Sequence, residues 1–157
     1  MKACFIGHRK IEDTKMLSSS LKTTIISIIE RGVTVFLFGN RSDFDVLSRE
    51  TVTALKKEYP FIKRIYVRAN YPHINQLYEE YLLTLYDETY FPLQLANAGK
   101  ASYIQRNFEM IDKSAYCIFY YNENYASSLK SNSGTKVAYK YALKRNKNII
   151  NLYKEKD

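Results

Sequence analysis

Three short segments carry side chains suited to holding an anion. The first is Gly7-His8-Arg9. Glycine lets the chain turn sharply and approach a ligand closely. Arginine offers a planar fork of donors matched to phosphate or carboxylate, and histidine donates, accepts or titrates near neutral pH. The second is Gly39-Asn40-Arg41-Ser42-Asp43-Phe44-Asp45. Its acids are candidates for ribose hydroxyls, as in dinucleotide folds, while Ser42, Asp43 or Asp45 would equally serve as a helix N-cap. The third, Ser131-Asn132-Ser133-Gly134-Thr135-Lys136, is the strongest local signal. A Ser/Gly/Thr turn at a helix start presents unpaired N–H groups, hydroxyls and the positive end of the helix dipole. Lys136 in the first turn is disfavoured by that dipole and makes sense beside a bound anion. The plainer alternative is an ordinary cap by Ser133 or Thr135. The pattern GxxxxGK[ST] is absent, so this is not a P-loop.

Other polar residues stand out against apolar surroundings. Arg106 and Asn107 fall in the middle of an amphipathic stretch. Asp112 lies near its end, where the dipole disfavours an acid, and Arg106 or Lys113 would hold it there. Tyr121, in Tyr120-Tyr121-Asn122-Glu123, offers a ring that would stack on a base. His8, Asp112 and Glu123 are the only candidates for acid–base work. Lys136, Lys140 and Lys144 recur every four residues and read as a solvated helix face. Cys4 and Cys117 sit in apolar runs without CxxC or Cys/His spacing, so neither a metal site, a redox motif nor a cofactor is expected.

These segments must be positioned by the elements around them. Apolar runs at 3–6, 33–38, 61–67, 115–121 and 148–153 read as strands. Helical spacing appears at 14–31, 45–58, 74–85, 100–113 and 134–146, while 86–99 reads as irregular. The strand runs are nearly continuous in apolar residues, which marks strands covered on both faces. The expected fold is α/β: one Rossmann-like domain over 1–157, with a doubly wound, mainly parallel sheet of about five strands and helices on both faces. In such sheets ligands sit outside the carboxyl ends of the strands. The aromatic-rich stretch 70–99 would cover a pocket or form a dimer surface, with core packing the default.

Composition limits the partners. The chain has 157 residues and a net charge of +8, of which residues 122–157 contribute +5. A basic balance invites phosphorylated molecules or nucleic acid. With 15 Tyr and 8 Phe, and no Trp, ring surfaces are plentiful. No run approaches the roughly 18 apolar residues of a membrane span, so no membrane partner is expected. Two cysteines in apolar runs and no visible leader fit a cytoplasmic location.

Taken together, Gly7-His8-Arg9, Gly39 with Phe44-Asp45, Arg106-Asn107 with Met110-Ile111-Asp112, and Ser133-Gly134-Thr135 resemble the SLOG superfamily, in its YpsA-like branch. The likeness runs from about residue 2 to residue 152. It implies a Rossmann-like domain that binds nucleotides or nucleotide-derived ligands, including ADP-ribose-type signals in bacterial or phage defence. The ligand-holding set it supports is Gly7, His8, Arg9, Gly39, Asn40, Phe44, Asp45, Arg106, Asn107, Tyr121, Ser133, Gly134, Thr135 and Lys136. Related phosphoribohydrolases carry a catalytic Glu in a PGGxGTxxE loop. Here Ala138 stands at that position, and alanine supplies no acid–base group.

Three functions follow. One is a sensor or sequestering module for a nucleotide-derived small molecule. A second is an N-glycosidic hydrolase or transferase acting on a nucleotide. A third is single-stranded DNA binding, as in DprA-like relatives. A homo-oligomer is left open by each.

Overall fold

The computed structural model describes residues 1–125 and 134–155. Six strands form one sheet: β1 (Lys2–Gly7), β2 (Val35–Phe38), β3 (Lys63–Val67), β4 (Glu88–Tyr90), β5 (Tyr116–Tyr120) and β6 (Asn148–Asn151). Every pairing is parallel, in the order β4-β3-β2-β1-β5-β6. Five helices connect them: α1 (Thr14–Glu30), α2 (Asp43–Leu55), α3 (Gln76–Leu85), α4 (Ser102–Lys113) and α5 (Gly134–Lys144). The Rossmann-like α/β fold is as the apolar patterning implies, with one strand more. The added strand, β4, is a three-residue edge strand inside the stretch that reads as irregular. Three residues are too few to show a period.

Right-handed crossovers put the helices on opposite faces. Ala3, Phe5, Phe36 and Phe38 point to the face covered by α1, α2 and α3. Cys4, Ile6, Leu37, Cys117 and Phe119 point to the face covered by α4 and α5. Alternate residues of β1 thus enter two different cores, which is why its run is apolar throughout. The first core is aromatic at its centre: the Phe5 and Phe38 rings stack at 5.0 Å, and Phe44 meets Phe5 edge-on at 6.3 Å.

The strands end together at one edge, and the loops that follow face the same way. After β1 the chain runs outward through β2, β3 and β4, then returns to β5 on the other side of β1. Two details fix the first loops. The Asp43 N–H donates to the Arg9 carbonyl at 2.8 Å, so the β1–α1 and β2–α2 loops lie side by side. Gly7 lies against the Phe44 ring, where a Cβ would come within 2.4 Å of Cδ2.

Gly7→Ala is therefore expected to lower stability by about 1–3 kcal/mol through overpacking. In urea denaturation, Gly7→Ala combined with Phe44→Leu should lose less than the sum of the two single changes, because they relieve the same contact.

Candidate functional site

Beyond the ends of β1, β2 and β3 lies a cavity of about 750 Å³, within the range of small-molecule sites. Four arginines from four elements line it: Arg9 after β1, Arg41 after β2, Arg68 after β3 and Arg106 from α4. Tyr66, Tyr71, Tyr78 and Tyr103 supply ring walls, Asn40, Asn70 and Asn75 add amide groups, and His73 adds an imidazole. None of the fifteen lining residues is Asp or Glu. Among the described residues, none of the four arginines makes a salt bridge.

Arg106 forms the floor. Its side chain is 1% exposed. Nη1 donates to the carbonyls of Gly39 and Val67, the latter at 3.4 Å. Nη2 donates to Asn40 Oδ1 at 2.7 Å, and Nε to Asn107 Oδ1 at 3.1 Å. Burial pushes its pKa down, but a guanidinium stays charged under any ordinary condition. The arginine reaches the strand ends only because residue 39 has no side chain. A Cβ there would sit 2.5 Å from Arg106 Cδ and 2.8 Å from Met110 Sδ.

The far wall comes from the segment after β3. Tyr71 is 64% exposed and has φ of 64°, a left-handed conformation unusual for a bulky residue. Arg68 holds the turn: Nε donates to the Tyr71 carbonyl at 3.2 Å and Nη2 to that of Pro72 at 3.4 Å. Asn75 caps α3, its Oδ1 accepting the Tyr78 N–H at 2.8 Å. The Tyr78 hydroxyl accepts from Arg41 Nη2 at 2.7 Å. Asn70 Nδ2 donates to the Tyr103 hydroxyl at 2.6 Å, and the Arg106 guanidinium lies 5.6 Å from the Tyr103 ring centre. These bonds tie the β2–α2 and β3–α3 loops, α3 and α4 into one rim.

Of the residues singled out by sequence, the cavity takes in Arg9, Gly39, Asn40 and Arg106. Asn107 stands behind them, its Oδ1 accepting from Arg106 and from Asn40 Nδ2. Gly7 and Phe44 are packed together in the first core. Ser42 caps α2, its Oγ accepting the Asp45 N–H at 3.1 Å and donating to Asp45 Oδ2 at 2.7 Å. Asp45 is buried at 1% exposure, outside the cavity lining, and among the described residues its Oδ1 has no hydrogen-bond partner. Burial raises its pKa to about 6, against the opposing pull of Ser42 and Arg106.

The remaining candidates lie elsewhere. His8 is buried where β1 meets β5. Its Nε2 accepts the Asn122 N–H at 2.8 Å, and its ring stacks on Tyr125 at 3.9 Å. Burial lowers its pKa from the usual histidine value, against the opposing pull of the Asn122 backbone. Tyr121 tilts against His8 and Tyr139, and Glu123 is exposed in the loop beyond. Asp112 ends α4 at the opposite edge of the sheet. Arg145 and Tyr141 hold it, at 3.0 and 2.8 Å, rather than Arg106 or Lys113. Ser133 lies outside the described residues, as do Ser131 and Asn132. Gly134 opens α5, Thr135 is buried, Lys136 is half-buried, and Ala138 packs into the second core.

The ligand-holding set read from the sequence omits Arg41, Tyr66, Arg68, Tyr71, His73, Tyr78 and Tyr103, although Arg41 stands in the second motif and Tyr71, His73 and Tyr78 fall in the stretch expected to cover a pocket or form a dimer surface. The signal for Arg68 was present. It directly follows a strand, and the loop after that strand had the same claim on a ligand as the others.

A six-stranded, all-parallel sheet with helices on both faces defines a Rossmann-like α/β fold. The sequence model of the YspA SLOG family matches residues 5–156. The chain belongs to that family. Comparison with the curated proteins gave no match. Among the described residues, no helix is long and apolar enough to cross a membrane.

Asp45 gives a test of this side of the site. Between about pH 4 and pH 6 the folded chain keeps a proton that the unfolded chain has released, so stability falls as pH rises through that window. Asp45→Asn removes the titration. Its stability relative to the parent chain should rise by up to about 3 kcal/mol from pH 4 to pH 7 in urea denaturation. A difference independent of pH would show that Asp45 titrates at its ordinary value.

Proposed function

We propose that this chain is a binding module that holds a phosphate-bearing, nucleotide-derived small molecule in the cavity beyond β1, β2 and β3. The observation that carries this reading is the lining itself: four arginines, four tyrosines and no carboxylate. Guanidinium forks suit phosphate oxygens. Tyrosine rings suit the face of a base. Clustered cations without acids repel one another in the empty cavity, and an anionic ligand relieves that repulsion.

The same lining favours holding over cutting. N-glycosidic cleavage in the related phosphoribohydrolases relies on the carboxyl group of a catalytic Glu. The cavity wall offers none, and Ala138, at the position of the catalytic Glu in related hydrolases, is buried in the core. Membership of a SLOG family agrees with a nucleotide-type ligand.

A thermal-shift panel of nucleosides, mononucleotides and dinucleotides tests the proposal. A ligand at about a hundred times its Kd should raise the Tm by about 5–10 °C for a chain of this size. Arg41 is exposed, so Arg41→Gln should fold normally and bind about 10–100-fold more weakly, the loss of a charge-assisted hydrogen bond. Binding of single-stranded oligonucleotides with no response to any free nucleotide would overturn the proposal.

A further inference from the structure

We infer that the cavity selects ligands carrying at least two phosphates, a diphosphate or longer chain, over monophosphates. This rests on the reading of the cavity as a nucleotide site and names the class of nucleotide. The reason is charge. Four guanidinium groups share one cavity, and among the described residues no salt bridge neutralises any of them. A phosphate monoester brings about −1.5 to −2 charges near neutral pH. One such group leaves about half of the positive charge unmatched. A second phosphate adds about one more negative charge and narrows the gap.

The arginines also differ in what they have left to give. Arg106 is buried and spends its donors on two strand-end carbonyls and two asparagines. Arg68 spends its donors on the Tyr71 and Pro72 carbonyls and the Thr89 hydroxyl. These bonds hold both charges in place, Arg106 buried and Arg68 half-buried at the wall. Arg9 and Arg41 are exposed, on loops joined by the bond from the Asp43 N–H to the Arg9 carbonyl. Arg41 gives one bond to Tyr78. Two exposed forks on adjacent loops, over two fixed charges, suit two linked phosphates better than one.

Absent acids bear on the sugar as well. Dinucleotide folds hold the ribose hydroxyls with a carboxylate. Here Asp45 is buried outside the lining and no other acid reaches the wall. Any hold on the ribose therefore falls to the amides of the wall rather than to a carboxylate.

Titration calorimetry in metal-free buffer separates the possibilities, with adenosine, AMP, ADP, inorganic phosphate and pyrophosphate as probes. The last two test the anion site without any base. ADP is expected to bind at least about tenfold tighter than AMP, and pyrophosphate at least about tenfold tighter than phosphate, with both gaps shrinking as salt is raised. Arg9→Gln should narrow the ADP-to-AMP gap more than it weakens AMP. Equal binding of AMP and ADP would overturn this inference and leave the nucleotide site standing. Failure of every nucleotide and both anions would overturn the site as well. Pyrophosphate binding as tightly as ADP would support the two-phosphate selection while removing the role given to the base.

Discussion

The Arg106 guanidinium is buried beneath the ends of β2 and β3 with no carboxylate in salt-bridge contact among the described residues. Burying a charge is costly unless its hydrogen bonds are met. Here carbonyls of Gly39 and Val67 and side-chain amides of Asn40 and Asn107 meet them. The carbonyls are those that parallel strands leave unpaired where they stop. One side chain from α4 therefore ties the two strand ends together, fixes Asn40 at the cavity wall and leaves its positive charge facing the cavity. Gly39 is the local requirement, since any side chain there would collide with the arginine. The pairing of a glycine on one element with a long cation on another holds the site together.

This arrangement shifts the site along the sheet edge. In a doubly wound sheet the usual crevice opens where the chain changes direction, here between β1 and β5. At that point His8 stacks on Tyr125, lies near Tyr121 and accepts the Asn122 N–H. The cavity instead opens over β1, β2 and β3, where the β3–α3 segment rises to form a wall. Its left-handed Tyr71 is held by Arg68, and its rim is closed by the bonds from Arg41 to Tyr78 and from Asn70 to Tyr103. Strained backbone of this kind persists where surrounding bonds over-determine it, commonly at ligand sites.

The fold was legible in the sequence because short, nearly continuous apolar runs report strands of a parallel sheet, and five of the six strands fall in such runs, with glycine stopping those of β1 and β2. β4 was hidden by its length. The site was half legible. Arg9, Gly39, Asn40 and Arg106 stand in short motifs, and each lies in the cavity wall. Tyr71, Tyr78 and Tyr103 come from stretches whose helical spacing or turn composition looks like packing, and their convergence depends on the crossover from β3 to α3. Charge misled in a similar way. The basic excess falls in residues 122–157, whereas the cavity's arginines come from residues 9 to 106, where acids nearly balance the bases. Net charge along a chain says little about charge across a cavity, because Asp87, Glu88 and Asp112 are drawn off into ion pairs elsewhere. Asp45 shows the same limit at one residue: its position after a strand suggests a ligand contact, while its bond with Ser42 belongs to the start of α2.

The most direct measurement is a crystal structure of the chain with a nucleoside diphosphate. Phosphate oxygens are expected within hydrogen-bond distance of the Arg9 and Arg41 guanidiniums, above an unmoved Arg106, with the base against the tyrosines of the β3–α3 wall. A ligand bound instead at the start of α5 beside His8, with the four-arginine cavity holding only water, would contradict it.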